Sequence, residues 1–147
     1  MIPIFRAKKL DSDGYIIGQY IETEFSNEEY CDIEEQETII KHCIIKDFRT
    51  VHDDYEYCNF DITEIDIATL AIHFPDMLDS QGNKIFASLQ EDGKGGDTCS
   101  VNDYIYGGLN GVAIYQNYGF RIDRKGKAMG ISFSSRDIEI IGIQQWN

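Results

Sequence analysis

The sequence predicts a predominantly β fold that ends in a small, highly curved barrel. Two observations carry that prediction. Aromatic residues are plentiful, with nine Tyr and eight Phe, while prolines number only two, which favours sheet over disorder. From residue 80 onward, short apolar runs alternate with turn signals every 8–12 residues, the spacing of a small barrel. At 147 residues the chain fits one domain, 1–147, and can bury enough surface to fold without staples. Within it we distinguish an acidic N-terminal lobe, 1–79, and a barrel-like lobe, 80–147.

The elements follow in order. IPIFRAKKL and YIIGQYI flank the turn signal DSDG and are expected to form a first hairpin. Residues 22–37, ETEFSNEEYCDIEEQE, carry few apolar residues and are read as a loop or a short exposed helix. TIIKHCII, 38–45, reads as a buried strand. Residues 51–61 alternate aromatics with acids, as an edge strand or a loop would. In ITEIDIATLAIHF the first part alternates, and ATLAIHF is read as a helical turn that Pro75 ends by biasing Phe74 away from helix. Strands are then expected at 84–89, 102–106, 111–116, 119–122, 131–133 and 138–143, with a turn at 80–83 and a long flexible loop at 90–97. Phe86, Ile85, Ile105, Val112, Ile114, Phe120, Ile141 and Ile143 are the expected core. Gly82, Gly95 and Gly96 are expected at positive φ, where a side chain would be strained. Trp146 reads as an anchor on the barrel or an interface residue.

The net charge is −13 and its placement is uneven. Residues 1–79 hold 19 acids against 6 bases, whereas residues 80–147 hold 7 of each. A negative field repels phosphate, so direct nucleic-acid binding is not expected, while a basic protein partner is compatible with it. Carboxylates spaced along 22–37 also allow a different reading, an acidic DNA mimic that blocks a host nuclease or another DNA-binding protein. No run approaches the roughly 20 apolar residues of a membrane helix, and MIPIFRAKKL lacks the features of a signal peptide. Cys31, Cys43, Cys58 and Cys99 are widely spaced without a CxxC pair, and are read as reduced, mostly buried thiols of a cytoplasmic protein.

Chemical motifs were tested against what their chemistry requires. A phosphate loop needs GxxxxGK[ST]; here Gly93, Gly95 and Gly96 flank Lys94, Asp97 follows, and Glu91 and Asp92 have the wrong sign for an anion. Asp11, Asp13 and Gly14 suggest a calcium loop, but with Gly14 at its sixth position Lys9 and Tyr20 take ligand positions, so a polar turn is the better reading. His42 and Cys43 are adjacent and would face opposite sides of a strand, and no ligand pair has structural-zinc spacing. His52 and His73 complete the histidines; His73 lies in a semi-apolar stretch and is read as a core or interface residue. GxSxG is absent, and no carboxylate pair stands out. No catalytic, cofactor-binding or metal-binding residue is therefore assigned.

Three segments together resemble the YopX-like family, which is encoded mainly by bacteriophages, prophages and related mobile elements. Near the N-terminus the match is carried by Phe5, Arg6, Lys8, Gly14, Tyr15, Gly18 and Tyr20. In the centre it is carried by Thr69, Leu78, Asp79, Gly82, Lys84, Ile85 and Phe86, and at the end by Glu139, Ile141, Gly142 and Ile143. The family's acidic "EGD" directly after Ile-Phe is absent, and ASLQEDGKGG intervenes before Asp97. The resemblance implies an α+β protein, predominantly β, with N-terminal strands and a C-terminal SH3-like small β-barrel, and homo-oligomers in some members. It supplies no catalytic residues. The resulting expectation is a non-enzymatic phage or prophage accessory protein in the host cytoplasm. It would act through protein contacts, with itself and possible basic partners. The rivals are the DNA mimic and a small hydrolase or nuclease using clustered carboxylates and a divalent ion.

Overall fold

The computed structural model describes residues 2–26, 38–52, 55–103, 107–117, 119–124, 127–130 and 138–143. Strand β1 (Ile4–Lys8) and strand β2 (Tyr15–Ser26) form the expected antiparallel hairpin, in register from Phe5↔Gly18 to Lys8↔Tyr15. Its DSDG turn closes with Lys9 N donating to Gly14 O at 3.0 Å, and Gly14 sits at φ +100°.

Two expectations fail at the next step. Residues 22–26 are not loop or helix but the end of β2, because Glu22 and Glu24 alternate with Ile21 and Thr23 and so keep the two-residue strand period. Residues 27–37, with Cys31, lie outside the described residues. Strand β3 (Thr38–His52) is far longer than TIIKHCII and is not buried throughout. Cys43 and Ile44 are buried, yet Ile39 and Ile40 are 47% and 53% exposed. β3 pairs β2 from Gln19↔Ile45 to Ser26↔Thr38, and strand β4 (Tyr55–Glu64) from Cys43↔Glu64 to His52↔Tyr55. The stretch read as edge strand or loop thus forms the tip of β3 and most of an edge strand.

After β4 the chain returns to the first hairpin through an isolated bridge, Lys9↔Ile65, flanked by Leu10 N to Glu64 O at 3.1 Å and Asp66 N to Lys8 O at 2.9 Å. The expected helical turn is a single 3₁₀ turn, Ile67–Thr69, earlier than the sequence suggested. Asp66 Oδ1 accepts from Ala68 N at 3.1 Å, and Thr69 Oγ1 donates to Asp66 O and accepts from Lys8 N at 2.8 Å. These bonds hold the turn on β1. AIH is instead strand β5 (Ala71–His73), antiparallel to β1, since its three residues are all buried between neighbours.

Strand β6 is only Ala87–Ser88; it pairs β5 and, in parallel, touches the next lobe at Ser88↔Ile114. The remaining strands are β7 (Asp97–Asp103), β8 (Gly107–Gln116), β9 (Gly119–Arg124), β10 (Lys127–Gly130) and β11 (Ile138–Ile143). The strand expected at 131–133, with Ile105 and Trp146, lies outside the described residues. Strand order is β10-β9-β8-β6-β5-β1-β2-β3-β4, with β7 on β8 and β11 on β7. The fold is predominantly β, and the 3₁₀ turn is the only helical element among the described residues. The sheet is mixed and open, and the described strands do not close into the expected barrel: β10 and β11, at the two ends of the β11-β7-β8-β9-β10 run, do not pair.

Two apolar clusters hold the sheet. Ala7, Ile44, Ile65 and Leu70 form one, and Ile85, Ala87, Cys99, Val101, Ala113, Ile122 and Ile138 the other. Burying one isoleucine contributes about 1.5–3 kcal/mol. Of the expected core, Phe86, Ile85 and Ile114 are buried, while Val112, Phe120 and Ile143 are half-buried. Ile141 is 53% exposed, because β11 turns Ile138 and Ile140 inward and its pairing with β7 slips between Ile140 and Gly142.

Candidate functional site

The loop 90–97 is packed against the body of the fold rather than projecting from it. Gly93, Gly95, Gly96 and Asp97 are all buried. Successive turns close from Gly93 N to Gln90 O and from Gly96 N to Gly93 O, and Ser88 Oγ donates to Lys94 O at 2.8 Å. Gly95 has φ +85° and lies so close to Thr69 O that a Cβ would collide with it. Gly82 also has positive φ, as expected, but Gly96 does not. Glycine is required at 96 for another reason: a Cβ there would meet Ala113 O and, at 2.9 Å, Ser88 N.

This close packing delivers two oxygens to Arg6. Arg6 Nη2 donates to Asp97 Oδ1 at 2.8 Å and to Gly95 O at 2.9 Å. Asp97 Oδ2 accepts from Phe86 N at 2.8 Å. The guanidinium carbon lies 4.6 Å from the centre of the Phe86 ring and 5.6 Å from that of Tyr15, a cation–π sandwich. Both charged side chains are nine-tenths buried or more. Burial pushes the Asp97 carboxyl above the ordinary range, against the pull of Arg6 and the Phe86 N–H. His73 Nδ1 lies 3.0 Å from Ile85 O, so that nitrogen carries the proton, and its ring packs 5.5 Å from Phe86. His73 is thus a satisfied core residue, as read from its apolar surroundings.

Asp79 organises the turn at 80–83. It accepts from Gln81 N at 2.9 Å, Asn83 N at 2.7 Å and Asn83 Nδ2 at 3.1 Å, and from Ile140 N at 3.5 Å across the lobe. Burial raises this carboxyl, but the four donors outweigh it and hold it below the usual range. The Cys99 thiol, fully buried near Asp97 and Asp79, is pushed up to about 12 by burial and by both carboxylates.

A second polar cluster sits where β2 meets β3. Tyr20 Oη donates to Glu22 Oε1 at 3.0 Å and lies 2.6 Å from His42 Nδ1, with the two rings stacked at 11°. A hydroxyl that gives its one proton to Glu22 must accept from His42, which places a proton on Nδ1. Burial first, then the Glu22 bond and charge, push the Tyr20 phenol up to about 12, so it stays protonated. His42 and Cys43 do face opposite sides of β3. Among the described residues no three His, Cys, Asp or Glu side chains converge as a metal cage. A groove of about 630 Å³ opens beside this sheet, lined by Lys9, Asp11, Tyr15, Lys46, Asp61 and Glu64 among others. Its charges are mixed in sign and favour no single ligand class.

The third feature is an apolar surface. Register puts Ile17, Ile21, Ile39, Ile45, Phe60 and Ile62 on one side of β2–β3–β4, opposite the side from which Ile44 enters the core. Ile17, Ile39, Phe60 and Ile62 are 45–65% exposed. An antiparallel sheet with one face on the core ordinarily turns polar residues to water. Here that alternation is reversed in sense, with Glu22 and Glu24 on the Ile44 side.

Sequence reasoning singled out Arg6 and Phe86 as motif residues and Asp97 as a departure from a motif, but did not join them. The signal was present only as isolation: one arginine inside an apolar strand, and one aspartate after tightly spaced glycines. The acidic segment behind the mimic reading is described only over 22–26. No helix among the described residues is long and apolar enough to cross a membrane. Comparison of the chain with protein-family models, curated proteins and solved structures finds no match.

Proposed function

We propose that the chain is a non-enzymatic, YopX-like accessory protein of phage or prophage origin that acts through protein contacts in the bacterial cytoplasm, with copies of itself as partners. The observation that carries this reading is the exposure of Ile17, Phe60 and Ile62 on the outer face of β2–β4, since exposed apolar surface gathered on one face marks contact sites. The fold is compatible with the resemblance in two respects. The run β11-β7-β8-β9-β10 is an open strip of antiparallel strands, which is compatible with the strand-rich second half that the resemblance implies. Motif residues from the N-terminus and the centre also meet, with Arg6 over Phe86 and Lys8 N on Thr69 Oγ1, which gives those positions a structural role. Light scattering at micromolar concentration tests the reading: a mass above the 16.8 kDa of one chain is expected, and a strict monomer removes its main support.

A further inference from the structure

The outer face belongs to a surface that the molecule covers in part by itself. Arg6 stands opposite Ile17 in the β1–β2 register, on the same side of the sheet. Over β1, that side is sealed by Phe86, Gly95 and Asp97, which enclose the Arg6 side chain. One strand further on the seal ends, and Ile17 is 45% exposed. The same side continues across β3, where Cys43 is buried and Ile45 half-buried, to Phe60 and Ile62, which are 65% and 60% exposed.

We propose that a second copy of this chain docks on this open side, so that the outer faces of β2, β3 and β4 pack on one another about a two-fold axis. The inference deepens the reading of the chain as a self-associating protein and rests on it. Charge selects the occupant. The chain carries −13 in total, yet Glu22, Glu24 and Asp61 all fall on the opposite side of the three strands. On the outer side Glu64 lies 3.8 Å from Lys41, and Asp47 on the central strand stands opposite Phe60 in the register. An acidic copy therefore meets less of its own field here than on the Glu22 side, and a basic partner finds less counter-charge here than there. Like surfaces can meet in this way because a two-fold contact needs only one self-complementary patch. Two stacked β faces pack about 10 Å apart with their apolar side chains interdigitated. β3 pairs β2 over Thr38–Ile45 and β4 over Cys43–His52, and strands about 4.8 Å apart over those lengths present a footprint on the order of 400 Å² per copy. Over the two copies that is about 800 Å², below the roughly 1,200 Å² at the lower end of stable interfaces. The dimer is accordingly one that dissociates on dilution.

The experiment is sedimentation equilibrium of the full chain from about 1 to 100 μM, comparing wild type with Phe60→Glu, Ile62→Glu and Ile39→Glu. Ile40→Glu is the control, equally exposed but on the opposite side of β3. All four sites are exposed, and circular dichroism with a melting curve identifies any variant that fails to fold. The expected result is a wild-type dimer whose dissociation constant rises at least tenfold in the folded outer-face variants and not in Ile40→Glu. A wild type that stays monomeric at 100 μM overturns both this inference and the self-association reading. An oligomer that the outer-face variants leave intact overturns this inference alone.

Discussion

Arg6 and Asp97 stand 91 residues apart in sequence and 2.8 Å apart in space, each nine-tenths buried or more. The pair fastens β1 to the start of β7, and so the first hairpin to the second apolar cluster. Removing one partner leaves the other charge buried and uncompensated, which costs about 3–5 kcal/mol. Arg6→Met and Asp97→Leu should each lower the urea midpoint by a corresponding amount. The double variant should recover most of the loss, because two well-packed apolar side chains replace the pair. A loss in the double variant equal to the sum of the two single losses would mean the side chains do not act as a pair.

The glycines of the 90–97 segment give a graded test. Gly95→Ala adds a Cβ where φ is +85° and the Thr69 carbonyl leaves no room, so both strain and collision oppose it. Gly82→Ala sits at φ +82° in open space and pays only the backbone term, about 1–2 kcal/mol. Thermal melts should rank Gly95→Ala well below Gly82→Ala, with Gly96→Ala also severe because of Ala113 O and Ser88 N. A mild Gly95→Ala would show that the segment does not pack on the 3₁₀ turn.

Much of the strand pattern was legible in local sequence, and what was not had a common cause. The first hairpin follows from apolar runs on either side of a turn of unmistakable composition, and Ile138–Ile143 from its isoleucine-rich run. ETEFS also alternates, but its acids fall on the Ile44 side and its apolar residues are few, so its strand character depends on the partner at 38–42. The same holds for Ile39 and Ile40, which look buried because apolar runs usually are. Which side of a strand is covered is decided by residues distant in sequence, here Phe86 and Asp97. The Arg6–Asp97 pair was illegible for that reason, since no spacing rule links a strand near the N-terminus to a glycine-rich segment in the other half.

Asp79 should leave a signature in the acid limb of stability. Its folded carboxyl is held below 3.8, near where the unfolded chain titrates. A depressed pKa contributes stability that is present above the unfolded value and is lost as pH falls through the folded one. Asp79→Asn should therefore flatten the decline of the urea midpoint below about pH 4, and wild type and variant should converge as the pH approaches 2. Parallel curves would assign the acid sensitivity to other carboxylates.

Cys99 combines complete burial with a thiol pushed up to about 12, so almost no thiolate exists at neutral pH. Alkylation with iodoacetamide at pH 8, followed by peptide mass mapping, should leave Cys99 unmodified in the native protein and modify it fully in urea. Cys43, buried on the sheet side opposite Ile44, should be protected as well. Rapid native labelling of Cys99 would require the β7–β11 pairing that covers it to open.

Tyr20 offers a spectroscopic check on the β2–β3 junction. Its phenol is pushed up to about 12 by burial and then by Glu22, which accepts its proton. An ultraviolet titration of wild type minus Tyr20→Phe should isolate one phenol ionising near that value. Glu22→Gln removes the negative charge that resists phenolate formation while keeping an acceptor, so it should move the transition downward. The shift matters for the sheet, because Glu22 and His42 are cross-strand partners and Tyr20 Oη bonds to both. A Tyr20 that titrates near 10 in wild type would place the hydroxyl in water, and the register that joins 22 to 42 would lose its polar support.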